Sequence, residues 1–141
     1  MSSALYTTDI LRLAASTPEF PRLSAPHATS EKRSPTCGSQ IVVDIDLDPS
    51  GRVLAVGQEV KACALGQASA TLLGRAIRGK SAAEVKAAKD QLQNWLEGRA
   101  DTPGHWPGLS VFEPARSLSA RHPAILLAFE AAAQAAFEAA R

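Results

Sequence analysis

Residues 40–51 read Gln40-Ile41-Val42-Val43-Asp44-Ile45-Asp46-Leu47-Asp48-Pro49-Ser50-Gly51, and the architecture follows from how they alternate. Ile41, Val43, Ile45 and Leu47 share one side of a strand with one buried face. Asp44, Asp46 and Asp48 share the other. The alternation reads them as the wet face; a calcium or magnesium cluster is the less economical reading. Asp48-Pro49-Ser50-Gly51 is a turn, because proline presets φ at its second position and glycine supplies positive φ at its end. The chain returns as a second strand over Arg52 to Ala62, with Leu54, Val56, Val60 and Ala62 in phase. The two strands form a hairpin, so the end of the second lies beside the start of the first.

That geometry bears directly on the two cysteines. Val60 to Ser69 reads Val-Lys-Ala-Cys-Ala-Leu-Gly-Gln-Ala-Ser, the junction between a strand and a helix. Cys63 sits where unpaired backbone N–H groups open the helix. The other cysteine, Cys37, lies in Ser34-Pro35-Thr36-Cys37-Gly38-Ser39, just before the first strand. The hairpin carries Cys63 toward Cys37. Four readings stand open: a structural disulfide, two unrelated buried thiols, a metal- or sulfur-handling pair, and a lone nucleophilic cysteine. A reducing compartment disfavours the first. Neither cysteine has a histidine or aspartate in a recognisable catalytic arrangement, which weakens the last.

The rest of the chain supplies helices. Residues 3–15 read as a short helix with Leu5, Leu11 and Ala15 as its apolar stripe, beside Ile10 and Ala14; Thr17-Pro18 ends it. An edge strand is expected over Ala25 to Lys32. After Cys63 a helix runs from Leu65 to Arg78 on Leu65, Ala68, Leu72 and Ala76, and its Gly66 and Gly74 allow close packing on a sheet. Gly79 stops it. Ser81-Ala82-Ala83-Glu84 is a capping box. It opens a helix to Glu97 on Val85, Ala88, Leu92, Trp95 and Leu96. Residues 99–119 form a long irregular connection. The last helix starts near Pro123, with Leu126, Phe129, Ala133 and Phe137 in phase. The order predicts an α+β fold: a small antiparallel sheet of about three strands with helices packed on one face.

The 141 residues are expected to form a single domain, 1–141, with 45% hydrophobic and 21% charged residues. A net charge of +1 and 5% aromatic residues give no reason to expect nucleic acid or an anionic membrane as partner. Two cysteines without a signal peptide predict a cytoplasmic, soluble protein. Further metal ligands are sought among His27, His105 and His122, since zinc or iron wants three or four. His122, before the last helix, is the one candidate to face Cys63; a surface cap is its plainer role, and a solvated loop position is that of His105. Arg75, Arg78 and Lys80 read as favourable charge at a helix C-terminus, or as a docking patch.

The motifs together resemble a known family. Pro35-Thr36-Cys37-Gly38, then Cys63-Ala64-Leu65-Gly66-Gln67-Ala68-Ser69-Ala70, then Gly79-Lys80-Ser81 occur in the order of the NifU/IscU/SufU iron–sulfur cluster assembly scaffolds. Tyr6 with Asp9-Ile10-Leu11 is similar to that family's opening helix. The connection from Leu109 to Phe129 looks like the SufU branch, with Arg121-His122-Pro123-Ala124 and Leu127-Ala128 at its third cysteine. The resemblance implies a SufE/NifU-like fold and three cysteines plus an aspartate as ligands. Cys37 and Cys63 match two of them. Ser39 stands where the aspartate is expected and Ala124 where the third cysteine is. The implied activity is that of a scaffold binding an iron–sulfur cluster, iron or zinc through Cys37, Cys63 and His122. Cys63 would accept sulfur from a cysteine desulfurase. The rival reading is a non-catalytic paralogue serving as an interaction or regulatory module of the assembly machinery. A zinc hydrolase or transferase has too few ligands and no general base.

Overall fold

The computed structural model describes residues 5–35 and 38–141. Three antiparallel strands lie in the order of the chain: β1 (Ala28–Arg33), β2 (Gln40–Leu47) and β3 (Val53–Lys61). The helices are α1 (Thr8–Ala15), α2 (Ala64–Ala76), α3 (Ala82–Leu96) and α4 (His122–Ala139). Helix α4 lies under β1 and β2, α2 packs beside β3 and against α4, α3 covers the outside of α4, and α1 rests on α2. The expected α+β architecture is therefore present.

Ile41, Val43, Ile45 and Leu47 all face this helical layer and are buried. Their partners on β3 depart from the expected phase. Asp46 pairs with Ala55 but Leu47 pairs with Val53, leaving Leu54 as an extra residue. The bulge turns Leu54 outward, 54% exposed, and brings Val53 into the core in its place. Gln58 also falls on the core face, where its Nε2 donates to the Ala70 carbonyl of α2 at 3.0 Å.

The aspartate face is not uniformly wet. Asp44 is fully buried. After α1 the chain makes a 3-10 turn (Thr17–Glu19) and then crosses this face of the sheet. Arg22 donates from Nε and Nη2 to the Asp44 carboxylate at 2.7 and 3.2 Å. The Leu23 amide at 3.0 Å and the Thr29 hydroxyl at 2.6 Å complete the set. Phe20 meanwhile accepts the outward-pointing amide of Gln58 at 2.8 Å, which closes that edge of β3. Gly57, paired with Asp44, makes the crossing possible: a Cβ there would stand 2.6 Å from the Pro21 carbonyl oxygen and 2.7 Å from the Leu23 nitrogen. Since both are backbone atoms, Gly57→Ala is expected to cost about 2 kcal/mol, read as a lower urea midpoint with an unchanged slope.

Of the helix expected over 3–15, residues 3 and 4 lie outside the described residues, Leu5 is helical and buried, and α1 spans Thr8–Ala15. Thr7 caps it, its Oγ1 accepting the Ile10 amide at 3.2 Å. Ile10 and Ala14 face inward, while Leu11 and Ala15 are exposed; packing on α2 selects that stripe. Helix α2 is buried on nearly every side from Leu65 to Gly74, with Ala76 only half-buried. Its glycines admit Ala62 and α4 at Gly66 and the Phe20 ring at Gly74, rather than the sheet. The capping box of α3 is formed as expected: Ser81 Oγ accepts the Glu84 amide and Glu84 accepts the Ser81 amide. The connection over 99–119 is more ordered than expected. It contains a 3-10 segment (Leu109–Ala115) and buries Trp106, Leu109, Phe112 and Ala115. Trp106 donates from Nε1 to the Leu72 carbonyl at 2.9 Å and meets Phe129 edge-on at 5.3 Å. At the far end of α4, Ala131, Ala132, Ala135 and Ala136 form the buried face, and Phe137 is 58% exposed rather than in the core. A close helix approach built on alanines has no room for that ring.

Candidate functional site

Gln40 pairs with Arg33 on one side and Lys61 on the other. The connection between β1 and β2 therefore lies at the same end of the sheet as the exit of β3 toward Cys63. Within that connection the Ser34 amide donates to the Ser39 carbonyl at 2.9 Å, and the Gly38 amide to the Ser34 carbonyl at 3.0 Å, with Gly38 at φ 70°. Thr36 and Cys37 lie outside the described residues, and so does the expected approach of Cys37 to Cys63.

Cys63 is the N-cap residue of α2, in extended conformation. Its carbonyl accepts the Gln67 amide at 2.9 Å, which starts the helix. Its thiol is half-buried and makes no capping hydrogen bond, so the helix does not occupy the sulfur.

Beside this helix start runs the start of α4. A Cβ on Gly66 would lie 3.3 Å from the Ala124 carbonyl oxygen, and Ser69 Oγ donates to the Ile125 carbonyl at 2.6 Å. An N-cap residue and the residue three positions on share one side of a helix. Position 124 thus stands against the first turn of α2, on the side of Cys63. What the fold brings together is the backbone at 124 and Gly66, three positions after Cys63; the side chain at 124 is a methyl group, 3% exposed. Neither the small residues at Gly66 and Ser69 nor the helix crossing they allow was read from the sequence as part of the site. The small-residue spacing was the available signal.

His122 is buried, not a surface cap. Its Nε2 stands 3.0 Å from the Ala115 carbonyl oxygen and 3.1 Å from that of Arg116. Both neighbours are acceptors, so Nε2 carries the hydrogen and donates. The ring pins the 3-10 segment to the first turn of α4, and only Nδ1 keeps a lone pair for a metal. His122→Ala strips a donor from two carbonyls and is expected to cost about 1–2 kcal/mol, measured by urea denaturation. His27 accepts the Leu47 amide on Nδ1 at 2.9 Å, and His105 is exposed. Of the basic group at the end of α2, Arg75 pairs with Glu19 at 2.9 Å while staying about half exposed.

Among the described residues no group of three or more His, Cys, Asp or Glu side chains is placed to hold a metal. Of the described residues at the expected ligand positions, Cys63 offers a thiol, Ser39 a hydroxyl and Ala124 no donor atom, short of the four ligands that a bridged cluster or a tetrahedral zinc site takes.

No family model and no curated protein matches the sequence. Solved structures do. A protein described as a nitrogen-fixing NifU-like protein (N-terminal) from Brucella abortus superposes with a TM-score of 0.88 at 34% identity, covering 96% of this chain and 94% of that one. A putative iron–sulfur cluster assembly scaffold protein for the SUF system from Fervidobacterium islandicum AW-1 gives 0.87 at 19% identity, covering 96% and 99%. A hypothetical protein gives 0.76 at 20% identity, covering 91% and 96%. The last two share the fold. The three-stranded sheet with α2 and α4 starting side by side is thus the NifU-type α+β class. With 34% identity over nearly the whole of both chains, this chain belongs to the NifU/IscU/SufU-like family.

Proposed function

We propose that the protein serves iron–sulfur cluster assembly as a scaffold-like sulfur acceptor, with residues 1–141 acting as one NifU N-terminal-like domain. Cys63 is the acceptor and a cysteine desulfurase the donor. The observation that carries this reading is the half-exposed thiol at the start of α2, unbonded to the helix it caps. Its thiolate attacks the outer sulfur of the desulfurase persulfide. A sulfur–sulfur bond forms on Cys63, the one on the desulfurase breaks, and the electron pair leaves with the desulfurase cysteine as thiolate. No net oxidation or reduction is required. This is the work of an acceptor or scaffold rather than of an enzyme.

Iron, zinc or a cluster enters as cargo. Cys37 and Cys63 are the thiols to hold it, with His122 as a third ligand through Nδ1 only. The remaining donors come from water, a partner or a second copy, because position 124 supplies none. Among the described residues no helix is long and apolar enough to cross a membrane, and we place the protein in the cytoplasm. The experiment is incubation with a cysteine desulfurase and free cysteine under anaerobic conditions, followed by intact-mass measurement. A gain of one sulfur atom supports the reading and an unchanged mass refutes it. Ala124 favours a second reading, an interaction module of the same machinery. Desulfurase binding that survives a Cys37→Ser, Cys63→Ser double variant, with no sulfur gained by the unaltered protein, selects it.

A further inference from the structure

Away from Cys63, helices α3 and α4 leave a groove of about 630 Å³ along their outer side. At one end it is apolar. Ala82 and Ala83 on α3 and Ala133 on α4 form a hollow of small side chains, and Phe137 stands beside them as an exposed ring. Arg141 lies over one face of that ring, 6.0 Å from its centre. The groove's other end is charged. Lys86 and Lys89 on α3 share a single carboxylate, Asp90, at 2.9 and 2.8 Å. Across from them Glu130 on α4 is half-buried, with no hydrogen bond or ion pair among the described residues. Burial holds its carboxyl above the usual range, against the pull of Lys89 and Lys32.

One patch therefore carries a knob and a hollow of matching character, two lysines that share a single carboxylate, and a carboxylate of its own, Glu130, outside any ion pair among the described residues. A surface that contains both halves of its own complement is what a two-fold interface between identical chains requires. We propose that this groove is the contact between two copies of the chain. Phe137 of each seats against the alanines of the other, and Glu130 of each meets the second copy's Lys86. Cys63 does not line the groove, so this interface stands or falls independently of sulfur acceptance.

Sedimentation equilibrium from micromolar to millimolar protein tests it, alongside Phe137→Glu, Glu130→Lys and the double variant Glu130→Lys, Lys86→Glu. All three positions are partly or fully exposed, so thermal melts serve as a check that folding is intact. The expected result is a concentration-dependent dimer. Phe137→Glu and Glu130→Lys each weaken it by about tenfold or more, and the double variant recovers most of the loss that Glu130→Lys causes. A chain that stays monomeric throughout overturns the proposal and leaves the groove to a different protein. So does a dimer indifferent to Phe137→Glu, or a charge swap that restores nothing.

Discussion

Cys63→Ser is expected to reduce sulfur uptake from a cysteine desulfurase by about 100-fold or more, because a hydroxyl replaces the attacking thiolate. The melting temperature should stay within about 2 °C of the parent or rise, since serine is a favoured N-cap and the thiol makes no capping bond to lose. This pairing of results separates chemistry from folding. Intact mass after the desulfurase reaction reads the first and a thermal scan the second. Sulfur that still loads onto the serine variant removes Cys63 from the acceptor role. Cys37→Ser, run in parallel, reports whether the second thiol shares that role or serves only a later step.

Asp44→Ala is expected to be strongly destabilising, by about 3 kcal/mol and roughly 10 °C in melting temperature. It removes the acceptor of the Arg22, Leu23 and Thr29 bonds and frees the segment that crosses the sheet. The same residue sets an acid limit. Burial pushes the Asp44 carboxyl up, but the Arg22 bond, the Thr29 hydroxyl and the Leu23 amide outweigh it and hold the carboxyl below its ordinary value. A carboxyl depressed in the folded state gives its full stabilisation above the unfolded value, near pH ~4, and loses it as pH falls through the folded one. Urea titrations at about pH 7 and about pH 3 should therefore show the parent falling toward Asp44→Asn in acid. An equal gap between the two at both pH values rules out this assignment.

Local rules carried the hairpin, the capping box and the order of elements, because each is decided within a few residues. Ile41 to Leu47 need only their own alternation, and Ser81 needs only Glu84. What was not legible depends on distant chain. Asp44 reads as solvent-facing until a segment more than twenty positions upstream folds over it. Leu54 keeps its phase until a bulge moves it out, and neither strand's sequence announces the extra residue. Phe137 continues an apolar stripe whose inward side, in the folded chain, is set by alanines. The site divides along the same line. A thiol at a helix start was visible at Cys63, and the missing donor at 124 was visible by resemblance. That Gly66 and Ser69 would draw α4 against the first turn of α2 is a property of two helices crossing, which periodicity along one of them does not reveal.

Strand β1 closes the sheet on the side away from β3, and its sequence ends in Glu31, Lys32 and Arg33. A border strand offers its open amides and carbonyls to any extended chain that drifts past, and this is how sheets recruit one another into insoluble aggregates. Three consecutive charges there make a foreign strand costly to add, since each would have to be brought against an incoming backbone. Phe20 gives the opposite border a second safeguard by taking the Gln58 amide. With charge on one border and a covered amide on the other, the sheet is a poor template for filament growth.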